Sequence, residues 1–169
     1  MSNFKIVKVD SEYCDYLRQF DNRVPYNAGK KELRPFIGVL FMVNNMEYFA
    51  PLSSPKEKHL VLKNTIDLVK INNGKLGVIN INNMIPITNK NYEIFDLYKK
   101  TDDIDELKRL RLLKTQWRWL YNNFNVIKVK SYKLHRLYKE NRLPINIKNR
   151  CCNFILLEEK CNLYNKITI

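Results

Sequence analysis

Pro35-Phe36-Ile37-Gly38-Val39-Leu40-Phe41-Met42-Val43, then Asn44-Asn45, then Glu47-Tyr48-Phe49-Ala50-Pro51-Leu52 is the stretch that sets the architecture. A nearly continuous apolar run, a turn of two asparagines and a second strand-like run make a β-hairpin signature. The second run stops abruptly in Ser53-Ser54-Pro55-Lys56-Glu57-Lys58-His59, which supplies hydroxyls, a proline, cations and an imidazole. Pro55 fixes its own φ and biases Ser54 toward extended backbone, so the hydroxyls and Lys56 sit on a defined turn at the open end of the hairpin. Hydroxyl donors beside a point-charge ammonium suit a phosphate oxygen.

Outward from the hairpin, Phe4 to Val9 reads as a short strand, and Asp10-Ser11 caps a helix with Tyr13, Leu17 and Phe20 at helical spacing. From Asp21 to Arg34 the pattern dissolves around Pro25, Asn27, Gly29 and Lys30-Lys31, a connection long enough to be functional. Downstream, Thr65 to Ile71, a turn at Asn72-Asn73-Gly74, Leu76 to Ile81 and Met84 to Ile87 read as further strands, with Pro86 at an edge or a strand end. The first hundred residues are thus a meandering antiparallel sheet, and half-barrel curvature is compatible with it.

Beyond Thr101 the period changes to helical. Asp102 or Asp103 caps, Asp105 and Glu106 fill the first turn, and Leu110, Leu113, Trp117, Leu120 and Phe124 make one apolar stripe that packs on the sheet. Arg111, Lys114 and Arg118 make a basic rail on another face. Asn122-Asn123 predicts a break before a second basic stretch, Lys128 to Arg142, ended by Pro144. A last helix begins with Asn153 as cap and turns Phe154, Leu157, Cys161 and Tyr164 inward. The expectation is one α+β domain over residues 1–169, an antiparallel sheet flanked by helices with a mostly helical C-terminal part.

Lys and Arg number 30 against 17 Asp and Glu, a formal net charge of +13 with pI ≈ 9.6. That balance favours a polyanionic partner, nucleic acid ahead of membrane. Ten tyrosines, eight phenylalanines and two tryptophans include Trp117-Arg118-Trp119 and Tyr132-Lys133, pairings able to stack bases while neutralising phosphates. No apolar run reaches membrane-span length and the N-terminus lacks the order of a secretory signal, so the expected location is the cytoplasm. Cys14, Cys151, Cys152 and Cys161 suit neither a two-bridge framework nor a zinc site and read as reduced packing thiols. His59 and His135 are the two histidines, too few for a multi-histidine metal centre, so the expected reaction uses neither metal nor cofactor.

Ser53, Ser54 and Lys56 read either as a phosphate-holding site or as an ordinary strand-to-loop turn. Arg34, just before Pro35, enters the sheet across the hairpin from the serines, where a second cation could meet the same phosphate. His59 suits proton transfer, with a surface histidine as the plain alternative. Trp117 lies on the apolar stripe and reads as core; Arg118 and Trp119, off it, read as RNA contacts. Asp102, Asp103, Asp105 and Glu106 read as helix-start acids. A serine-lysine acylating pair lacks the helical S-x-x-K spacing and an oxyanion loop, and no Walker loop, dinucleotide-binding glycine pattern or helix-turn-helix signal is present.

Six islands in order carry a resemblance: Phe20-Asp21-Asn22-Arg23-Val24-Pro25, Arg34-Pro35-Phe36-Ile37-Gly38, Tyr48 to Lys56, Leu76-Gly77-Val78-Ile79-Asn80, Met84-Ile85-Pro86-Ile87 and Cys152 to Lys160. The chain resembles the type III toxin-antitoxin endoribonucleases, the ToxN/AbiQ family. The resemblance implies a strongly twisted antiparallel sheet similar to MazF/Kid-like toxins, a bacterial or phage-defence context with growth arrest by abortive infection, and cleavage of cellular and viral RNA. It also implies a repetitive small RNA antitoxin, cut from its precursor and kept bound in a closed protein-RNA hetero-oligomer. Carried onto matching positions, Ser53 takes a Thr/Ser place, Ser54 a serine, Lys56 a lysine, His59 a histidine and Arg34 a basic position occupied by lysine in a member of the family. A family tyrosine in the preceding loop has Tyr26 as its nearest counterpart.

The mechanism expected from these residues is transesterification, in which the RNA's own 2′-OH attacks the adjacent phosphorus to leave a 2′,3′-cyclic phosphate and a 5′-OH. Lys56 and Arg34 stabilise the phosphate charge, Ser53 and Ser54 align it, and His59, Lys56 or water takes the proton. Tyr26, Lys30, Lys31, Lys58, Arg111, Lys114, Arg118 and Trp119 are the expected RNA contacts, binding with a steep salt dependence. A non-catalytic RNA-binding protein is the alternative reading.

Overall fold

The computed structural model describes residues 4–26, 34–88 and 91–167. Strand β1 (Lys5–Val9) leads into helix α1 (Ser11–Arg18), capped by Asp10, whose carboxylate accepts from the Glu12 amide. Tyr13 and Leu17 are fully buried, as their spacing predicts. Phe20 is not: the helix ends at Arg18, and Phe20 is 41% exposed, edge-on to Tyr16 with the Lys160 ammonium over its ring.

The hairpin forms as its sequence predicts. Strand β2 (Pro35–Gly38) pairs with the second half of β4 (Met46–Ser53), while β3 (Met42–Val43) pairs with the first half. Asn44 and Asn45 both have positive φ, 47° and 66°, the backbone a two-residue hairpin turn demands and asparagine tolerates. Pro51 lies opposite Phe36, so Ser53 and Arg34 are brought to the same end of the paired strands.

Helix α2 (Glu57–Val61) follows the turn, and then come β5 (Val69–Lys70), β6 (Val78–Ile79), β7 (Ile85–Ile87) and β8 (Tyr92–Ile94). The antiparallel sheet runs β5-β6-β4-β2-β1-β8, with β3 and β7 also on β4. β5 and β6 are shorter than the runs predicted from Thr65 and Leu76, because Asp67 leaves the ladder to accept both arms of Arg150 at 3.0 Å. Asn72, Asn73 and Gly74 make a left-handed turn between them, with φ of 47°, 54° and 89°. Pro86 sits in β7, whose described pairing is with β4 alone, the position a residue without an N–H can occupy.

Helix α3 (Ile104–Lys139) is one uninterrupted span of 36 residues, about 54 Å at the α-helical rise. The break predicted at Asn122-Asn123 is absent. Asparagine costs a helix interior only about 0.7 kcal/mol, and Phe124, Ile127 and Leu134 carry the buried stripe straight through. Asn123 turns its amide back onto the Trp119 carbonyl at 2.8 Å. The stop comes at Asn141, which takes φ 55° while the Arg142 amide bonds back to Leu137, rather than at Pro144. Helices α4 (Ile145–Lys148) and α5 (Phe154–Ile167) follow, and Asn153 caps α5 by accepting from the Leu156 amide at 3.2 Å.

The core lies between the sheet and α1, α3 and α5, with Tyr48, Phe36, Phe49 and Phe154 fully buried in it. A polar cluster within it joins all three layers: Glu158 of α5 accepts from the Tyr48 hydroxyl of β4 at 2.8 Å and lies 2.6 Å from His135 Nε2 of α3. Burial works against ionisation of Glu158, but the bonds from His135 and Tyr48 outweigh it and hold the carboxyl below its ordinary range. All four cysteines are free and buried, and burial raises the Cys151 and Cys152 thiols, which keeps them protonated packing groups. No helix among the described residues is long and apolar enough to cross a membrane.

Candidate active site

A cleft of about 310 Å³ opens where β2, β4 and α3 meet, lined by Arg34, Pro35, Leu52, Ser53, Ser54, Lys56, Arg109, Leu112, Leu113 and Gln116. The hairpin ends bring Arg34 and the two serines in from the sheet, Pro55 turns the chain, and Lys56 follows at the start of α2. Three cations and two hydroxyls therefore face one space, and among the described residues no carboxylate shares the lining. Among the described residues no acidic side chain forms an ion pair with Arg34 or Lys56. Burial lowers the Arg34 and Arg109 guanidinium pKa, but their ordinary value is so high that both remain cationic.

Backbone close approach shapes the serine turn. Gly77 takes φ +102°, and a Cβ there would lie 1.9 Å from the Ser53 carbonyl oxygen, so only glycine lets the β5–β6 connection back the Ser53-Ser54 segment so tightly. On that same side Asn80 donates from Nδ2 to Ser53 Oγ at 2.8 Å, which leaves the Ser53 hydroxyl proton for another acceptor. Gly74, at φ +89°, performs the equivalent service under α2, where a Cβ would meet the His59 carbonyl at 2.3 Å.

His59 is not among the cleft-lining residues. It is 3% exposed, and its Nδ1 accepts the Lys56 amide at 3.2 Å, so the imidazole caps the turn that carries Lys56 instead of facing a reacting group. Burial, with Lys58 and Lys56 adding repulsion, lowers its pKa and favours the neutral ring that this bond needs. The two histidines do not meet, since His135 packs among Phe41, Tyr48 and Phe154 in the core.

The expected RNA contacts scatter. Arg111 and Arg118 are exposed on α3, and Lys114 sits over the Tyr98 ring at 4.8 Å; none lines the cleft. Trp119, like Trp117, is half-buried against the core rather than presented for stacking. Tyr26 is exposed, with the Arg18 guanidinium over its ring at 4.5 Å, and Lys58 is exposed on α2. Lys30 and Lys31 lie outside the described residues.

Arg109 and Gln116 were not expected in the cleft. Their signal is present in the sequence: Arg109, Leu113 and Gln116 fall at i, i+4 and i+7, two polar residues on a stripe otherwise apolar. Arg109 also stacks on Phe95 at 4.9 Å. No group of three or more His, Cys, Asp or Glu side chains suited to a metal ion occurs among the described residues.

The sequence model of the family described as "Toxin ToxN, type III toxin-antitoxin system" matches residues 5–162 of this chain. The chain belongs to the ToxN family of type III toxin-antitoxin toxins. The endoribonuclease ToxN of Bacillus thuringiensis subsp. kurstaki is 32% identical to it, covering 97% of this chain and 86% of the relative. The endoribonuclease ToxN of Pectobacterium atrosepticum is 31% identical, covering 96% and 94%. Among solved structures, one described as showing selective toxin inhibition by a non-coding RNA pseudoknot in bacterial type III systems superposes with a TM-score of 0.80. Its identity to this chain is 34%, over 96% of this chain and 98% of that one. The α+β architecture with its antiparallel sheet and long helix is thus that of the family.

Proposed function

We propose that this chain is the RNA-cleaving toxin of a type III system and that the cleft at the end of the hairpin is its catalytic site. The observation that carries the proposal is the convergence of Arg34, Lys56, Arg109, Ser53 and Ser54 on one space with no carboxylate among the described lining residues. Such a cleft stabilises a pentavalent phosphate, and the RNA's own 2′-OH supplies the nucleophile while the serine hydroxyls act as donors.

In the proposed reaction the 2′-oxygen bonds to the adjacent phosphorus while the P–O5′ bond breaks. The 2′-OH proton passes to water, and the Lys56 ammonium gives a proton to the departing 5′-oxygen, leaving a 2′,3′-cyclic phosphate and a 5′-OH. Arg34 and Arg109 hold the non-bridging oxygens as charge grows on them, and Ser53 and Ser54 donate to the same group and align it for in-line attack. His59 acts at one remove, by holding the turn that carries Lys56. No metal ion or cofactor enters these steps.

Inhibition of the structurally similar toxin by a non-coding RNA supports an RNA antitoxin as partner, here proposed to be a repetitive one. In this reading the processed antitoxin occupies the cleft as product in a closed protein-RNA assembly, and the toxin, working in the cytoplasm, arrests growth and interrupts phage infection when released. The net charge of +13 suits both RNA roles. The sheet's likeness to MazF/Kid-like toxins belongs to the same reading.

The test is incubation of the purified protein with single-stranded RNA in EDTA and analysis of the product ends. Cleavage with cyclic-phosphate and 5′-OH ends, reduced about a hundredfold or more by Ser54→Ala and by Lys56→Ala, is expected. Binding without cleavage, or cleavage indifferent to both substitutions, would assign the chain to non-catalytic RNA binding or move the site elsewhere.

A further inference from the structure

The wall of the cleft contributed by α3 holds an amide whose orientation is fixed. Gln116 is 2% exposed, lines the cleft, and donates from Nε2 to the Leu76 carbonyl at 2.7 Å. A backbone carbonyl only accepts, so the nitrogen must face Leu76 and the amide cannot turn over. Oε1 is the polar atom that Gln116 has left, and no donor among the described residues bonds to it. Oε1 is not sealed in the core but open to the cleft, where a ligand donor can bond to it. Around it, Pro35, Leu112 and Leu113 supply apolar surface of the kind that holds a planar ring. The lining therefore offers cations and hydroxyls for a phosphate together with apolar surface and one oriented acceptor.

We infer that Gln116 is a specificity-determining residue, forming with Pro35, Leu112 and Leu113 a subsite for the base of a nucleotide flanking the scissile phosphate. Oε1 accepts a hydrogen bond from an exocyclic amine. Adenine, cytosine and guanine carry such an amine, whereas uracil presents carbonyl oxygens on either side of its one N–H and sets acceptor against acceptor. Because Nε2 is committed to Leu76, Gln116 does not read adenine by the two-bond pattern of a free glutamine; it reads the amine alone. This inference rests on the cleft being the RNA-cleaving site.

The test uses the full chain and a set of RNA oligonucleotides identical except at the two nucleotides flanking the mapped cut. Each of these is varied among adenosine, uridine and purine riboside, which is adenosine without its amine. For the unsubstituted protein, removing the amine at one flanking position lowers kcat/KM by about tenfold or more, and uridine is cleaved no better than purine riboside. Gln116→Leu, and Gln116→Met should the leucine variant fail to melt cooperatively, cleave the amine-bearing and amine-free substrates with equal efficiency. Indifference of the unsubstituted protein to the amine at both positions overturns the subsite, as does discrimination that survives in the variants. Absence of cleavage from every oligonucleotide is a different result, and sinks the nuclease reading itself.

Discussion

Gly77→Ala is the sharpest test of how the serine turn is held, because Gly77 supplies no side chain to the cleft. A Cβ there would fall 1.9 Å from the Ser53 carbonyl oxygen, against a closest natural approach of 3.0 Å, and the atom in the way is backbone. The Ser53-Ser54 segment must therefore retreat by about 1 Å, a displacement of the size that costs roughly a hundredfold in rate when it moves groups aligned on a reacting phosphate. That equals about 2.7 kcal/mol of transition-state stabilisation. Alanine at a φ of +102° also costs the fold about 1–3 kcal/mol, a fall in Tm of about 2–4 °C for each kcal/mol in a domain of this size. A domain with ordinary stability stays almost wholly folded at 25 °C after such a loss. The assay is kcat/KM on one defined RNA beside a thermal melt, with Leu17→Ala as comparison. Leu17 is fully buried in α1 and absent from the cleft, so its loss costs about 2–5 kcal/mol of stability without moving the serines. The expected result is a hundredfold loss for Gly77→Ala and unchanged kcat/KM for folded Leu17→Ala. If both variants lose activity only in proportion to the unfolded fraction, the close approach of Gly77 to Ser53 does not position the site.

Arg109→Ala should lower kcat/KM by about 10–100-fold through loss of charge-assisted bonds to phosphate. Arg118→Ala, exposed and off the cleft, should instead reduce the salt slope of RNA binding by about 0.7; equal effects of the two on a single-turnover rate would contradict the assignment. His59 has a depressed pKa in the fold, so its contribution to stability is complete above its unfolded value near 6.5 and is lost as pH falls through the folded value. Urea midpoints measured from pH 8 to 5 should therefore fall more steeply for the unsubstituted protein than for His59→Gln, which keeps an acceptor for the Lys56 amide without titrating there. Parallel profiles would mean that the imidazole is free to protonate in the folded protein.

Much of the architecture was legible because it rests on local chemistry. Asn44-Asn45 can adopt the two positive φ values of a tight hairpin, Asp10, Asp103 and Asn153 can satisfy free helix amides, and the alternation of apolar runs with turns names the strands. The misreadings have a common cause in tertiary override. Asn122-Asn123 looks like a break until Phe124 and Ile127 are seen to bury against the sheet, and Thr65 to Leu68 looks like strand until Asp67 meets Arg150 from across the chain.

The residues of the serine turn, with Arg34, could be named from sequence alone, since a strand ending in Ser-Ser-Pro-Lys and a paired strand led by Arg-Pro are covalent facts whose register follows from the turn. What they do with their neighbours could not. His59 stands three residues from Lys56 in the text, yet whether its ring faces the cleft or caps the backbone depends on Gly74 packing beneath it. Arg109 and Gln116 join the site from more than 50 positions away because α3 happens to cross the open end of the hairpin, and only that crossing gives the serine turn a second wall and makes a cleft of it. Local sequence determines which groups are available and the turns that carry them; long-range packing, which no spacing encodes, decides which of them share a space.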